Sequence, residues 1–293
     1  MRKLLAGLLA TLALPFAAAA ETTATTKADP ALWVVKDADT TVYLFGTVHV
    51  LRPGTMWFDG GVKAAYDASS EVVLEIVEPE PAEIMSLVMQ KAIDPDGPPL
   101  SQKLGNKAAA YNAAMAAVGM PAAQFEQFEP WFAATVLTVG SVTKAGFDPK
   151  SGAENRITAA AAKDGKTVGE LETVGEQLDM FDSMPEAAQI AFLNATVAEA
   201  GDGAKTLDTM VARWAAGDPE GLAALMNKSE TFTPEIRKTL LTDRNARWAE
   251  WIAKRMDQPG TVFIAVGAGH LAGSDSVQSF LKTKKLEAKR IPS

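Results

Sequence analysis

The chain has no cysteine in 293 residues, which excludes disulfides, thiolate metal sites and a lipid-modified N-terminal cysteine. Histidine is almost as scarce. Only His49 and His270 occur, so any chemistry that needs an imidazole must use one of these positions. Basic residues are outnumbered, 28 Lys and Arg against 36 Asp and Glu, for a formal net charge of −8. With that sign and no basic run to offset it, nucleic acid is not expected as a partner. Beyond residue 20 no long apolar run follows, so no integral membrane segment is expected in a mature chain.

The first twenty residues have the make-up of a secretory signal peptide. Arg2 and Lys3 give a positive start, an apolar stretch covers 4–16, and Ala18-Ala19-Ala20 precedes Glu21. The expected location is therefore periplasmic or secreted, with 1–20 removed and the net charge deepened to −10 by the loss of Arg2 and Lys3. Residues 21–31 read as a flexible leader and 32–293 as a single domain. Hydrophobic residues make up 47% of the chain, enough for an ordinary globular core.

Residues 32–35 (LWVV) and 41–45 (TVYLF) read as strands of an opening hairpin, and 61–69 as a helix. Residues 71–77 (EVVLEIV) form a third strand, giving a βαβ unit. From about 81 to 146 the pattern turns helical and alanine-rich, an insertion that includes 107–118 (KAAAYNAAMAAV) and 130–142. A helix over 153–163 and a strand over 166–171 return to the sheet. A long helix is expected over 233–256, with Thr233-Pro234-Glu235 as its start. Strand 261–266 (TVFIAV) and a closing helix at 274–284 end the chain. The fold class is α/β: a central mixed, mostly parallel sheet with helices on its faces and an inserted helical layer.

Both histidines end the same four-residue shape after a strand, Gly46-Thr47-Val48-His49 and Gly267-Ala268-Gly269-His270. Glycine there permits a tight turn that aims an imidazole into the crevice where α/β sheets bind ligands. The second copy is expected to open a helix, whose free N–H groups favour negative charge. Glu75 is the third candidate. It lies inside an apolar strand, sharing a face with Val73 and Val77, where an unpaired carboxylate is costly to bury. It therefore needs a partner: a metal, a histidine or an arginine.

Five ordered segments carry a resemblance to a known family: LWVVKDADTTVYLFGTVHVLRPG, EVVLEIVEP, GELETVGEQLDMFDSMP, LLTDRNARWAEWI and GTVFIAVGAGHLAG. Together they resemble the TraB/GumN family, related to the TIKI-type metal-dependent proteases and more distantly to erythromycin-esterase (EreA)-like and ChaN-like proteins. The resemblance implies an active centre of His49, His270 and Glu75, and importance for Glu172, Arg244 and Asn245. Arg244 and Asn245 lie mid-helix beside Leu240, Leu241 and Trp248, which would leave Arg244 half buried and aimed inward, and Glu172 follows a strand end as the histidines do. The position after Gly152-Ala153, often Asp in such relatives, is Glu154 here.

Two functions of different class follow. One is a peptidase- or esterase-like hydrolase. In its metal form His49, His270 and Glu75 hold a divalent ion (Zn, Mn or Co) that acidifies water, and Glu172 moves the proton. In its metal-free form His49 is the base, Glu75 orients it and Arg244 steadies the oxyanion. The other is a non-catalytic envelope protein that captures a peptide or a polysaccharide precursor. The rims of the fold carry few of the aromatics that a sugar-binding crevice displays.

Overall fold

A computed structural model describes residues 27–293. The signal-peptide reading of 1–20 and most of the leader lie outside the described residues. What is described of the leader is tied down: Ala28 donates its N–H to Met56 O at 2.7 Å and Asp29 to Ala215 O at 2.8 Å.

The chain enters the sheet as a hairpin of β1 (Leu32–Lys36) and β2 (Thr40–Thr47). Asp37 closes it by accepting the N–H groups of Asp39 and Thr40 on one carboxylate oxygen, at 3.2 and 2.9 Å. The remaining strands are β3 (Glu71–Leu74), β4 (Thr167–Glu170), β5 (Gly260–Gly267) and β6 (Lys289–Ile291). Across the sheet the order is β4-β3-β5-β2-β1-β6. The four strands from β4 to β2 run parallel, and β1 and β6 complete the sheet antiparallel. This is the mixed α/β sheet expected from sequence, with β6 as an unforeseen edge.

The pairing of β2 with β5 runs from Thr40↔Gly260 to Thr47↔Gly267. The two Gly-x-x-His segments therefore leave the sheet side by side at one height. Strand alternation sends Phe45, Val72 and Phe263 to one face, where helices Gly60–Ala68 and Ala153–Asp164 supply Tyr66 and Ile157. Val42, Leu44, Val73 and Ile264 take the other, under Trp248 and Ile252 of helix Asp243–Arg255 and Leu281 of helix Val277–Thr283.

Two compact units partition the described chain. The sheet unit comprises 27–77, Asp148–Thr173 and Thr209–Ser293. The other, Glu78–Phe147 with Val174–Asp208, is helical and takes in a segment beyond the expected insertion. Its core includes Trp131 stacked on Phe181, and Lys103 held between Asp94 and Glu186, each at 2.8 Å. Among the described residues no helix is long and apolar enough to cross a membrane.

Three local expectations need correction. Strand β3 stops at Leu74, so Glu75 is the first residue past the strand and not part of its interior. The chain bends there because the Glu75 carbonyl accepts the N–H groups of Leu171 and Glu172 at 3.2 and 2.9 Å. The long helix over 233–256 is broken into Pro234–Arg237, a π-helical turn Lys238–Thr242 and Asp243–Arg255, although Thr233 does cap its start by accepting Ile236 N–H at 3.3 Å. Finally, Ala268–Leu271 is a single 3₁₀ turn, and the closing helix starts separately at Val277.

Candidate functional site

Each of the four parallel strands delivers one candidate just past its carboxyl end. His49 follows β2, His270 follows β5, Glu75 follows β3 and Glu172 follows β4. Along the sheet they stand in the order Glu172, Glu75, His270, His49. The crevice at the carboxyl edge of a parallel sheet is where such folds bind ligands. A Cβ built on Gly267 would stand 3.1 Å from Glu75 Oε1, 3.6 Å from His270 Cδ2 and 3.7 Å from His49 Nε2. The two histidines and the glutamate converge on this glycine, as the sequence expectation had it.

Helix Asp243–Arg255 brings Arg244 into the same place, and all three guanidinium nitrogens are engaged. Nε donates to both oxygens of Glu172 at 2.9 and 3.2 Å. Nη1 donates to Leu240 O and to His270 Nε2, each at 3.1 Å. Nη2 donates to Glu75 Oε2 at 2.7 Å and approaches Glu172 Oε2 at 2.8 Å. Four of its five N–H groups are thus hydrogen-bonded, so most of its donor capacity is spent inside the fold. Arg244 is a hub, buried between two carboxylates and stacked 4.7 Å above the Trp248 ring.

Asn245 fixes the tautomer of His270. Its Nδ2 donates to Asp275 O at 2.7 Å, so its Oδ1 faces His270 Nδ1 at 2.6 Å and must accept from it. Nε2 is then the unprotonated nitrogen that accepts from Arg244. A second proton there would confront the guanidinium N–H. Burial, with the Arg244 charge added, accordingly pushes His270 down to about 3 from 6.5. Burial opposes the charge on Glu75, yet the Arg244 guanidinium and the Gly267 N–H at 2.6 Å hold its carboxyl far below the usual range.

His49 is the exposed member, its side chain 70% accessible. Its Nδ1 lies 2.7 Å from Glu154 Oε1, the same oxygen that accepts Thr47 Oγ1–H at 2.5 Å. The Glu154 charge beside it raises His49 to about 9 from 6.5. Burial in turn opposes the Glu154 carboxylate, but His49 and Thr47 hold it low. Glu154 is the residue that sequence reasoning noted, as an acid where relatives often have Asp, but gave no role. The usable signal was its place in the first turn of a helix that follows Gly152-Ala153, where it looks across at the end of β2.

Several assigned roles change with this geometry. Glu75 does not orient His49; Glu154 does. Glu172 is tied into the frame, where Arg244, Arg247 and the Trp248 indole N–H all donate to it. The expected ligand trio is assembled in space but not as a metal site. The lone pair of His270 Nε2 is taken by Arg244, and the same guanidinium holds Glu75 Oε2. No group of three or more His, Cys, Asp or Glu with ligating geometry occurs among the described residues. These residues therefore do not fit a resident divalent ion.

The chain matches the model of the TraB/PrgY/gumN family over residues 31–290. It is similar to an uncharacterized protein of Treponema pallidum (strain Nichols), 21% identical over 271 residues that cover 87% of this chain and 80% of that protein. No solved structure matches it.

Proposed function

This chain belongs to the TraB/PrgY/gumN family, and on that footing we propose that it is an exported hydrolase in which His49, oriented by Glu154, moves the proton of an attacking water. The observation that carries this reading is the His49–Glu154 pair. An exposed imidazole is anchored through Nδ1 at 2.7 Å to a largely buried carboxylate, and its other nitrogen faces the Gly267 edge. Geometry of this kind fixes the tautomer and aims the basic nitrogen, and such a base contributes roughly 10²–10⁴ in rate. Neutral His49 would take the proton from water attacking an ester or amide carbonyl and return it to the leaving group. Arg244, His270, Asn245, Glu75 and Glu172 act as the buried frame that holds the strand ends in place.

The test is hydrolysis of a panel of aryl esters and peptide anilides by the purified protein, its His49→Ala variant and its Glu154→Gln variant, with and without EDTA. The reading expects His49→Ala to abolish turnover with the fold intact, Glu154→Gln to weaken it, and EDTA to leave it unchanged. Full activity in His49→Ala, or loss on chelation restored by added Zn²⁺, would sink it.

A further inference from the structure

The loop that follows His49 and the first turns of helix Ala153–Asp164 frame a cleft of about 500 Å³. That volume suits a small organic ligand. Three cations line it, Arg52, Lys150 and Arg156, against one acid, Asp59. Lys150 and Arg156 alone already outnumber Asp59, a local reversal of sign on a chain of formal charge −8, and a concave wall concentrates such a field.

The cations differ from the many paired ones elsewhere. Among the described residues the Lys150 and Arg156 side chains form no ion pair with a carboxylate. Arg156 is parked instead over the face of Phe58, 5.7 Å from its centroid, and stays exposed. Apolar surface lies beside these charges. Met56 is 49% exposed, and Phe58 is only half buried. Cations beside exposed apolar surface match a ligand with an anionic head and an apolar body.

The cleft also adjoins the His49–Glu154 pair. Gly152, between the cleft residue Ser151 and the helix, packs so tightly on the loop that a Cβ there would be 2.2 Å from His49 O. Ala153 N donates to Val48 O at 3.0 Å. Glu154 and the cleft residue Asn155 are consecutive, and Asn155 is fixed by its own bond to Pro149 O at 2.8 Å.

We propose that this cleft binds a carboxylate or phosphate carried on a small apolar group, with Lys150 and Arg156 holding the anion and Phe58 and Met56 the apolar part. As a substrate subsite it rests on the hydrolase reading; as a binding site it stands alone, so the experiment reads binding. Phenyl phosphate, phenylacetate and the neutral phenylacetamide are titrated by calorimetry into the purified protein, its Lys150→Ala/Arg156→Ala variant and its His49→Ala variant. At least one anion should bind at least tenfold more tightly than phenylacetamide, and the stronger of the two identifies carboxylate or phosphate as the head. The double variant should weaken that binding by tenfold or more while its melting temperature holds, since both side chains are exposed. Raising the salt should weaken binding, and His49→Ala should leave it unchanged. Equal binding of phenylacetamide, no binding of either anion, or an unaffected double variant overturns the inference. If binding survives in His49→Ala but no substrate is turned over by the parent protein, the hydrolase reading alone has failed.

Discussion

Arg244 donates Nη1–H to Nε2 of His270 across 3.1 Å, so the nitrogen that could have held a metal is the acceptor of an arginine. Together with burial, this bond keeps the imidazole neutral and commits the guanidinium to the frame of the strand ends.

Removing that guanidinium leaves Glu75 and Glu172 buried without their main counter-ion. Arg244→Met should lower unfolding free energy by about 3–5 kcal/mol, the usual cost of breaking a buried pair from one side. Arg244→Lys should recover only part of this, because an ammonium cannot reproduce the planar five-donor fork. Urea denaturation followed by circular dichroism measures both, and a shift of less than about 1 kcal/mol for Arg244→Met contradicts the hub.

The lowered pKa of His270 predicts an acid limb in stability. Its unfolded value is 6.5 and its folded value about 3, so between these pH values the unfolded chain binds the extra proton. Stability should therefore fall as pH drops from 6.5 towards 3. Glu75, also depressed, adds to the loss below the ordinary carboxylate range. His270→Gln should flatten the profile from 6.5 to about 4.5, where Glu75 contributes little. Melting temperatures across that range provide the check, and an unchanged slope in His270→Gln would show that another group is responsible.

His49 has the opposite sign. Its folded pKa is raised to about 9 from 6.5, so its pairing with Glu154 stabilises fully below 6.5 and is lost as pH rises through 9. The stability effect should be small, because the imidazole is largely exposed and solvent screens it. The effect on turnover should be large. Activity that needs neutral His49 climbs with pH towards about 9, and Glu154→Gln should move that limb down towards 6.5. A limb that stays put in Glu154→Gln would separate the carboxylate from the titrating base.

Gly267 has φ of −50°, an ordinary value for any residue, so a substitution there is limited by space alone. Gly267→Ala puts a methyl 3.1 Å from Glu75 Oε1 and 3.7 Å from His49 Nε2. The glutamate must yield by a few tenths of an ångström and its bond from Gly267 N–H must loosen. Activity should drop at least tenfold while stability falls by about 1–2 kcal/mol, within the range for modest overpacking. Comparing kcat/KM with urea midpoints separates the two, and equal proportional losses would mean that the methyl merely damages the fold.

The sequence by itself determined the frame. Alternation in TVYLF and TVFIAV fixed two strands, and the repeated Gly-x-x-His shape marked their ends. The expense of burying Glu75 showed that it needs a partner. These are local signals, because strand periodicity and backbone turns are written in neighbouring residues. What only the tertiary structure decided is who partners whom. Glu75 found Arg244 at a separation of 169 positions, and Thr47 and His49 found Glu154 from the start of a distant helix. The identity of each partner depends on which strand ends lie side by side. The order β4-β3-β5-β2 follows from packing both faces of the sheet, and no residue pattern along the chain records it. The π-helical turn at Lys238–Thr242 precedes the helix that presents Arg244, and helix propensity over 233–256 gives no sign of it. Charge states came last of all, since His270 is neutral and His49 raised through neighbours supplied by the fold.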